Sequence, residues 1–370
     1  MIVKSVNPED IYRCKSSVAL VYNEGVLDIF LSNLREQFMI EIDYEGIIDL
    51  LFSFNGKCKV SDIEKKYPSI DRNELIDLII FFVEKRVLIK VNTEYGNELI
   101  KTKYRLINTL EDYCFSTHEV ELAINMLETK RVMIIGLGAV GTWVTDSLAR
   151  TGVKNFIFVD DDKVELSNIH RQDMFFESSV GNFKVDEIER NLNFSHEKLD
   201  IIKIKDKLDD LFFNKYDGDC DLIINCADYP SVDVTTEIVA KFCMEKNIPH
   251  IIGGGYNLHL TLIGQTVIPN KTACVKCFES HLKVINNADL DGVKKLARKN
   301  RKIGSFAPLS SIGAAIASID AIKVLIGKYE YISNSNKRIE FNIRERDIKK
   351  HQVMRNVSCE WCGEHGIYNK

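Results

Sequence analysis

The sequence predicts an α/β protein: a mostly parallel sheet with helices on both faces, preceded by a small winged-helix-like domain. Three observations carry this. From Arg131 onward, short apolar runs of strand length alternate with helical patterns, as they do when crossover helices join parallel strands. The first of those runs passes directly into a glycine loop and a helix. Upstream, residues 17–92 carry a different signature: a hairpin, three helices and a closing strand. The boundaries read from these changes are 1–95 for the N-terminal domain, 96–130 for a polar helical linker and 131–370 for the α/β body.

Composition narrows the field. At 370 residues the chain exceeds one typical domain, and 45% hydrophobic with 28% charged residues is ordinary for a globular core. A net charge of −5 leaves no basic footprint, so no nucleic-acid partner is expected. The N-terminal residues have no apolar signal region, and no run approaches 18 apolar residues; no membrane partner is expected. Ten cysteines without such a signal point to a reducing, cytoplasmic setting in which cysteines serve as metal ligands or small core residues.

The elements follow in order. SVALVYNEGVLDIFLSN alternates about Asn23-Glu24-Gly25, a hairpin in which Gly25 supplies a left-handed position. EIDYEGIIDLLFSF then takes helical spacing, with Ile47, Leu50, Leu51 and Phe54 on one face. A short helix over Val60–Lys66 follows, with Ser61 as its expected cap. Asp71 and Glu74 form a capping box for ELIDLIIFFVEKR, and VLIKVN closes as a strand. YRLINTLEDYCF and VELAINMLETK make the linker helical. In the body, VMIIG is a buried strand, Thr142–Arg150 a helix, NFIFVD a second strand and DLIINC, from Asp221 to Cys226, a third. An Ala/Ile-rich helix over Ile312–Ile326 follows Ser305-Phe306-Ala307-Pro308, and SNKRIEFNIRERDIKKHQ continues as strands.

The strand VMIIG feeds Gly136-Leu137-Gly138-Ala139-Val140-Gly141, whose three glycines serve a tight turn, close approach to phosphate and helix–strand packing. The helix that follows aims its free N–H groups at an anion, which makes the domain Rossmann-like. Asp160, at the end of the next strand, stands where a ribose-binding acid belongs. A dinucleotide needs nothing more. A triphosphate needs cations and amides, and these follow: Asn168, Arg171 and Gln172 in SNIHRQDMF, then Lys184 in VGNFK. Asp228, after the third strand, sits at a strand's C-terminal end, suited to bind magnesium beside phosphate oxygens. Singly, each reads as a surface charge or, for Asp228, a helix cap ahead of Pro230. Together they point to ATP with Mg2+ rather than a nicotinamide oxidoreductase.

Cys274-Val-Lys-Cys277 and Cys359-Glu-Trp-Cys362 are two C-x₂-C pairs, the spacing of a closed tetrahedral site for structural Zn2+. Redox disulfides would not require two matched pairs. Cys226 and Cys243 fall in strand and helix patterns and read as core. The stretch Lys294–Lys302 (KKLARKNRK) reads first as a solvated helix face, and second as a contact for a carboxylate or a triphosphate.

The stretch from Gly136 to Asp228 resembles the ThiF/MoeB family of adenylating enzymes, relatives of the ubiquitin activators. That resemblance implies that Asp160 binds the ribose, that Asp162 contacts the nucleotide, and that Asn168, Arg171 and Lys184 hold the phosphates. It implies that Asp228 binds magnesium, and that an arginine from a partner subunit completes the site in a homodimer. The segment that supplies it reads KYRLIN here, giving Arg105, with Asn108 in place of the usual second arginine. Thioester-forming members carry a cysteine in the crossover segment; residues 278–310 have none. The N-terminal outline resembles the PqqD-like domains that recognise precursor peptides. The whole chain thus looks like the branch of the family that matures ribosomally made peptides, the microcin C and pantocin A type. The implied activity is ATP-dependent adenylation of a carboxylate in such a precursor peptide (an internal Glu/Asp side chain or a C-terminal Asn), followed by intramolecular capture. The alternatives kept are adenylation of the C-terminus of a ubiquitin-fold sulfur carrier, a nicotinamide oxidoreductase, and a non-catalytic peptide-binding partner.

Overall fold

The computed structural model describes residues 5–196, 198–253, 256–257, 260–263, 265–285 and 304–369. The chain divides into two compact units, Met1–Asn125 and Met126–Lys370.

The first unit runs β1 (Ile11–Cys14), β2 (Val18–Asn23), β3 (Val26–Leu31), β4 (Glu36–Glu41), α1 (Ile47–Ser53), β5 (Asn55–Lys59), α2 (Val60–Lys66), α3 (Arg72–Glu84), β6 (Leu88–Lys90) and α4 (Asn97–Leu110), and the chain leaves through α5 (Thr117–Thr129). The hairpin forms as expected: Glu24 and Gly25 are both left-handed, at φ 46° and 82°, a two-residue turn whose twist suits the flanking strands. β4 extends it to a meander in the order β2-β3-β4. That strand escaped the pattern reading because its turn carries no glycine; Arg35 takes the left-handed position at φ 56°. A second sheet has the order β5-β1-β6. Ile47, Leu50, Leu51 and Phe54 do share the buried face of α1, packed with Leu27, Ile29 and Phe82. Asp71 caps α3 by accepting from the N–H groups of Asn73 and Glu74 at 2.8 and 3.4 Å. Ser61 is not a cap, contrary to expectation. Lys59 precedes the first turn of α2, and the Val60 and Ser61 N–H groups donate to the carbonyls of Asp10 and Pro8 instead.

The second unit contains β7 (Arg131–Ile135), α6 (Ala139–Thr151), β8 (Asn155–Val159), α7 (Lys184–Ser195), β9 (Asp200–Ile204), α8 (Phe212–Lys215), β10 (Leu222–Asn225), α9 (Val232–Lys246), β11 (His250–Ile252), β12 (Tyr256–Asn257), β13 (Leu260–Ile263), β14 (Thr266–Val267), α10 (Val275–Ile285), α11 (Ala307–Leu325), β15 (Lys337–Asn342) and β16 (Asp347–Gln352). The main sheet has the order β14-β11-β10-β7-β8-β9 and is parallel except for β14. The chain winds outward from β7 to β9, then returns to lay β10 on the other side of β7. The strand order therefore reverses between β7 and β10, which opens a crevice at their C-terminal ends. β7, β8 and β10 are buried on both faces, so their sequences are continuous apolar runs. β9 lies at the sheet edge with Ile202 and Lys203 exposed, and so lacked that signature.

A smaller antiparallel sheet has the order β12-β13-β15-β16, and the strands expected in residues 335–352 are its β15 and β16. α11 begins at Ala307, five residues before the expected start, because Pro308 is tolerated in a first helical turn. At 19 residues it has the length and mean composition of a membrane-crossing helix, although polar residues such as Ser318, Asp320 and Lys323 interrupt it so that no uninterrupted apolar run forms, as expected; 61% of that window is buried in the unit, against α6 and β13. The segment Lys294–Lys302 and most of the crossover lie outside the described residues.

Candidate active site

The glycine loop is shaped by what a side chain would strike. Gly136 is left-handed at φ 88°, and a Cβ there would come within 2.6 Å of the Ala227 nitrogen in the loop after β10. At Gly141 it would meet the Gly136 carbonyl oxygen at 2.0 Å, because α6 leaves the loop immediately. Gly138 is different: nothing lies within 4 Å of its absent Cβ, so the space in front of the helix N-terminus is open. That opening, ringed by unpaired N–H groups, suits an anion.

Asp160 follows β8 and closes on the loop. Its Oδ2 accepts from Leu137 N–H at 2.6 Å, and its Oδ1 from Asp162 N–H at 2.8 Å. Burial pushes the Asp160 carboxyl above the usual carboxylate range, while the Lys184 ammonium opposes that rise. Lys184 is the first residue of α7 and is buried; its Nζ lies 2.7 Å from Asp162 Oδ2 and 3.8 Å from Asp160 Oδ1. The pairing across the loop is fixed by backbone as well, since Lys184 N–H donates to the Asp162 carbonyl at 3.0 Å.

The segment 168–173 lies against the head of α6. Trp143 Nε1–H donates to the Arg171 carbonyl at 3.3 Å, and Asp173 N–H to Thr142 Oγ1 at 3.1 Å. Asn168 is buried, its Oδ1 accepting from Glu165 N–H at 3.0 Å. Gln172 is buried too, and its Oε1 has no hydrogen-bond partner. Arg171 donates from one terminal nitrogen to the Ser167 carbonyl at 2.5 Å.

Asp228 is exposed three residues past β10, and it is not a helix cap: Ser231 caps α9, accepting from Val234 N–H at 3.3 Å. The structure thus joins Asp160, Asp162 and Lys184 by direct contact, and sets the Asp228 loop against Gly136. Arg105 belongs to the first unit, exposed on α4.

Three neighbours went unrecognised. Lys207, in the loop after β9, lies 3.6 Å from Asp161 Oδ2 and 5.7 Å from the centre of the Tyr229 ring. Finding β9 would have placed Lys207 at the same end of the sheet as Asp160.

The four cysteines converge. Cys274 and Cys277 lie at the head of α10, and their sulfurs are 3.6 Å from Cys359 and 3.5 Å from Cys362, respectively. All four Sγ atoms fall within 4.8 Å of one another. Tetrahedral zinc with sulfur at about 2.3 Å sets its ligands about 3.8 Å apart, so the thiols fit that ion. Hydrogen bonds from Cys274 and Cys277 hold the Cys362 thiol well below the usual range, and Asn356 N–H lies 3.5 Å from the Cys277 sulfur. Cys243 is core, as expected, and burial pushes its thiol well above the usual range; Cys226, just past β10, is half-buried rather than core, with burial pushing its thiol up to about 12.

A glycine loop at a sheet's switch point, with carboxylates and a buried lysine beside it, gives the unit the form of an α/β nucleotide-binding domain. The chain belongs to the ThiF family, which matches residues 116–361, and it is an ATP-dependent adenylating enzyme. Molybdopterin-synthase adenylyltransferase of Escherichia coli K12 is 26% identical over 238 residues, 64% of this chain and 89% of that protein. E. coli MccB is similar along nearly the whole chain. Its structure with ATP has a TM-score of 0.75 at 25% identity, covering 95% of this chain and 99% of that one. Its structure with AMPCPP and MccA has a TM-score of 0.74 at 25% identity, covering 96% and 100%. PaaA shares the fold, with a TM-score of 0.67 at 20% identity, over 92% of this chain and 100% of that one.

Proposed function

We propose that this enzyme adenylates a carboxylate of a ribosomally made precursor peptide and that a neighbouring peptide group then captures the acyl adenylate, a step of peptide-antibiotic synthesis. One observation carries the reading. The ThiF match leaves residues 1–115 outside, whereas the likeness to MccB covers 96% of the chain and so must take in most of them. MccB has been solved with both a nucleotide and MccA. The first unit is then a recognition module for a leader peptide, and an internal acidic side chain is the favoured target over a C-terminal Asn. The cysteine-free segment 278–310 supports direct use of the adenylate, since it holds no thiol to relay it.

In this reading Asp160 accepts from the ribose hydroxyls, while Gly138, Asn168, Arg171, Gln172 and Lys184 face the phosphates. Lys184, already between two carboxylates, offsets charge as pyrophosphate departs. Asp228 would hold magnesium, which neutralises the triphosphate; the open, exposed position of that carboxylate fits the role. Arg105 acts from the partner subunit of a homodimer. Cys274, Cys277, Cys359 and Cys362 hold zinc and tie the tail to the body. The enzyme works in the cytoplasm.

The rival is adenylation of a ubiquitin-fold sulfur carrier, the class to which the molybdopterin-synthase relative points. Exchange of labelled pyrophosphate into ATP separates the two. It should require a precursor peptide, such as one encoded beside the gene, and should be absent with a carrier ending in Gly-Gly. Exchange driven by the carrier alone would overturn the peptide reading.

A further inference from the structure

The loops after β9 and β10 are joined by a contact that the adenylation reading leaves unexplained. In the sheet order, β8 and β7 separate those two strands. Their C-terminal ends therefore stand about 14 Å apart, three spacings of roughly 4.8 Å. Lys207 reaches from one side and Tyr229 from the other, and they meet with the ammonium 5.7 Å from the ring centre. Between them lie the ends of β7 and β8, where the glycine loop and Asp160 sit. The pair thus spans the crevice mouth. Both are exposed, Lys207 at 62% and Tyr229 at 75%, which is high for an aromatic ring beside an active site.

The three cations of the crevice differ in how they are held. Lys184 is buried against Asp162 and Asp160. Arg171 is tied to the Ser167 carbonyl. Lys207 has a long pair with the partly exposed Asp161, at 3.6 Å, and a ring face, both exchangeable at little cost in water.

We propose that Lys207 and Tyr229 form a clasp over the nucleotide, in which Lys207 gives up Asp161 for an oxygen of the ATP triphosphate. Lys207 is then a nucleotide-positioning residue that recognises the polyphosphate rather than the nucleoside, and Tyr229 sets where its ammonium rests. The proposal relies on the crevice being the ATP site.

Isothermal titration calorimetry of the full chain with a non-hydrolysable α,β-methylene ATP analogue, and separately with AMP, tests it with magnesium present. Lys207→Ala should weaken the triphosphate analogue about tenfold and AMP by less than about twofold, the loss of one charged hydrogen bond. Lys207→Arg should restore most of the affinity. Tyr229→Phe should behave as wild type because the ring face is kept, and Tyr229→Ala should lose a few-fold. Wild-type affinity of Lys207→Ala, or equal weakening of analogue and AMP, would overturn the clasp. Arg171→Ala is the control that separates the two failures. If it too binds the analogue like wild type, the crevice assignment has failed; if it alone loses binding, only the clasp has.

Discussion

At the cysteine cluster all four residues are buried and all four sulfurs lie within 4.8 Å of one another, three of the contacts at 3.5–4.0 Å. At the crevice proposed for the nucleotide, in the same unit, Lys184 pairs with Asp162 and Asp160, and the space beside Gly138 is open. The first arrangement is closed; the second keeps a raised carboxyl and, in Lys207, a loosely held cation. Stability should respond to the first and chemistry to the second.

The largest effect should come from the cysteines. Cys362→Ser or strong chelation removes a contribution on the order of 10 kcal/mol. We expect one zinc per chain by metal analysis and a melting temperature lowered by more than about 10 °C on its removal. A chain that melts unchanged without metal would break the contrast from one side.

Next in size, Asp228→Ala and Arg171→Ala should each lower pyrophosphate exchange by about a thousandfold, the scale of lost charge stabilisation in a transition state. Their melting temperatures and zinc content should match wild type, because both side chains lie outside the core.

His250 sits on β11, between the β10 strand that leads to Asp228 and the β14 strand that leads toward Cys274. Burial pushes its imidazole down to about 4, and its Nε2 has no partner. The folded chain keeps it neutral while the unfolded chain takes up a proton below about 6.5. Its effect on stability is therefore absent above that pH and grows as pH falls toward 4, reaching about 3 kcal/mol of destabilisation. Denaturant melts of His250→Gln between pH 7 and 4 should show a correspondingly flatter loss.

The smallest and sharpest contrast lies within one loop. Gly141→Ala sets a Cβ 2.0 Å from a backbone oxygen and should cost roughly 2–3 kcal/mol of stability. Gly138→Ala, with open space and φ −80°, should leave stability within about 0.5 kcal/mol yet weaken nucleotide binding, since its methyl group occupies the ligand's place. Equal melting of the two variants would refute the assignment of that space.

What could be read in advance was chemistry written in short spacing. Gly136–Gly141 and the two C-x₂-C pairs carry their geometry in adjacent residues, and the doubly buried β7, β8 and β10 announce themselves as apolar runs. β4 and β9 did not, because one turns on an arginine and the other is an exposed edge strand. Lys207 and Tyr229 follow strands that are not neighbours in the sheet, meeting only across its C-terminal end, and no local pattern marks such a pair. Ser61 misled because a hydroxyl at a helix start is only one way to satisfy N–H groups, and the carbonyls of Pro8 and Asp10 supplied another.

In the proposed reaction a substrate carboxylate attacks the α-phosphorus of ATP in the crevice. Precursor peptide labelled with 18O at its carboxylate and turned over with ATP tests it most directly. One 18O is expected in the phosphate of AMP, with unlabelled pyrophosphate and the transfer lost in Asp228→Ala. Label in inorganic phosphate, or AMP free of 18O, would contradict it.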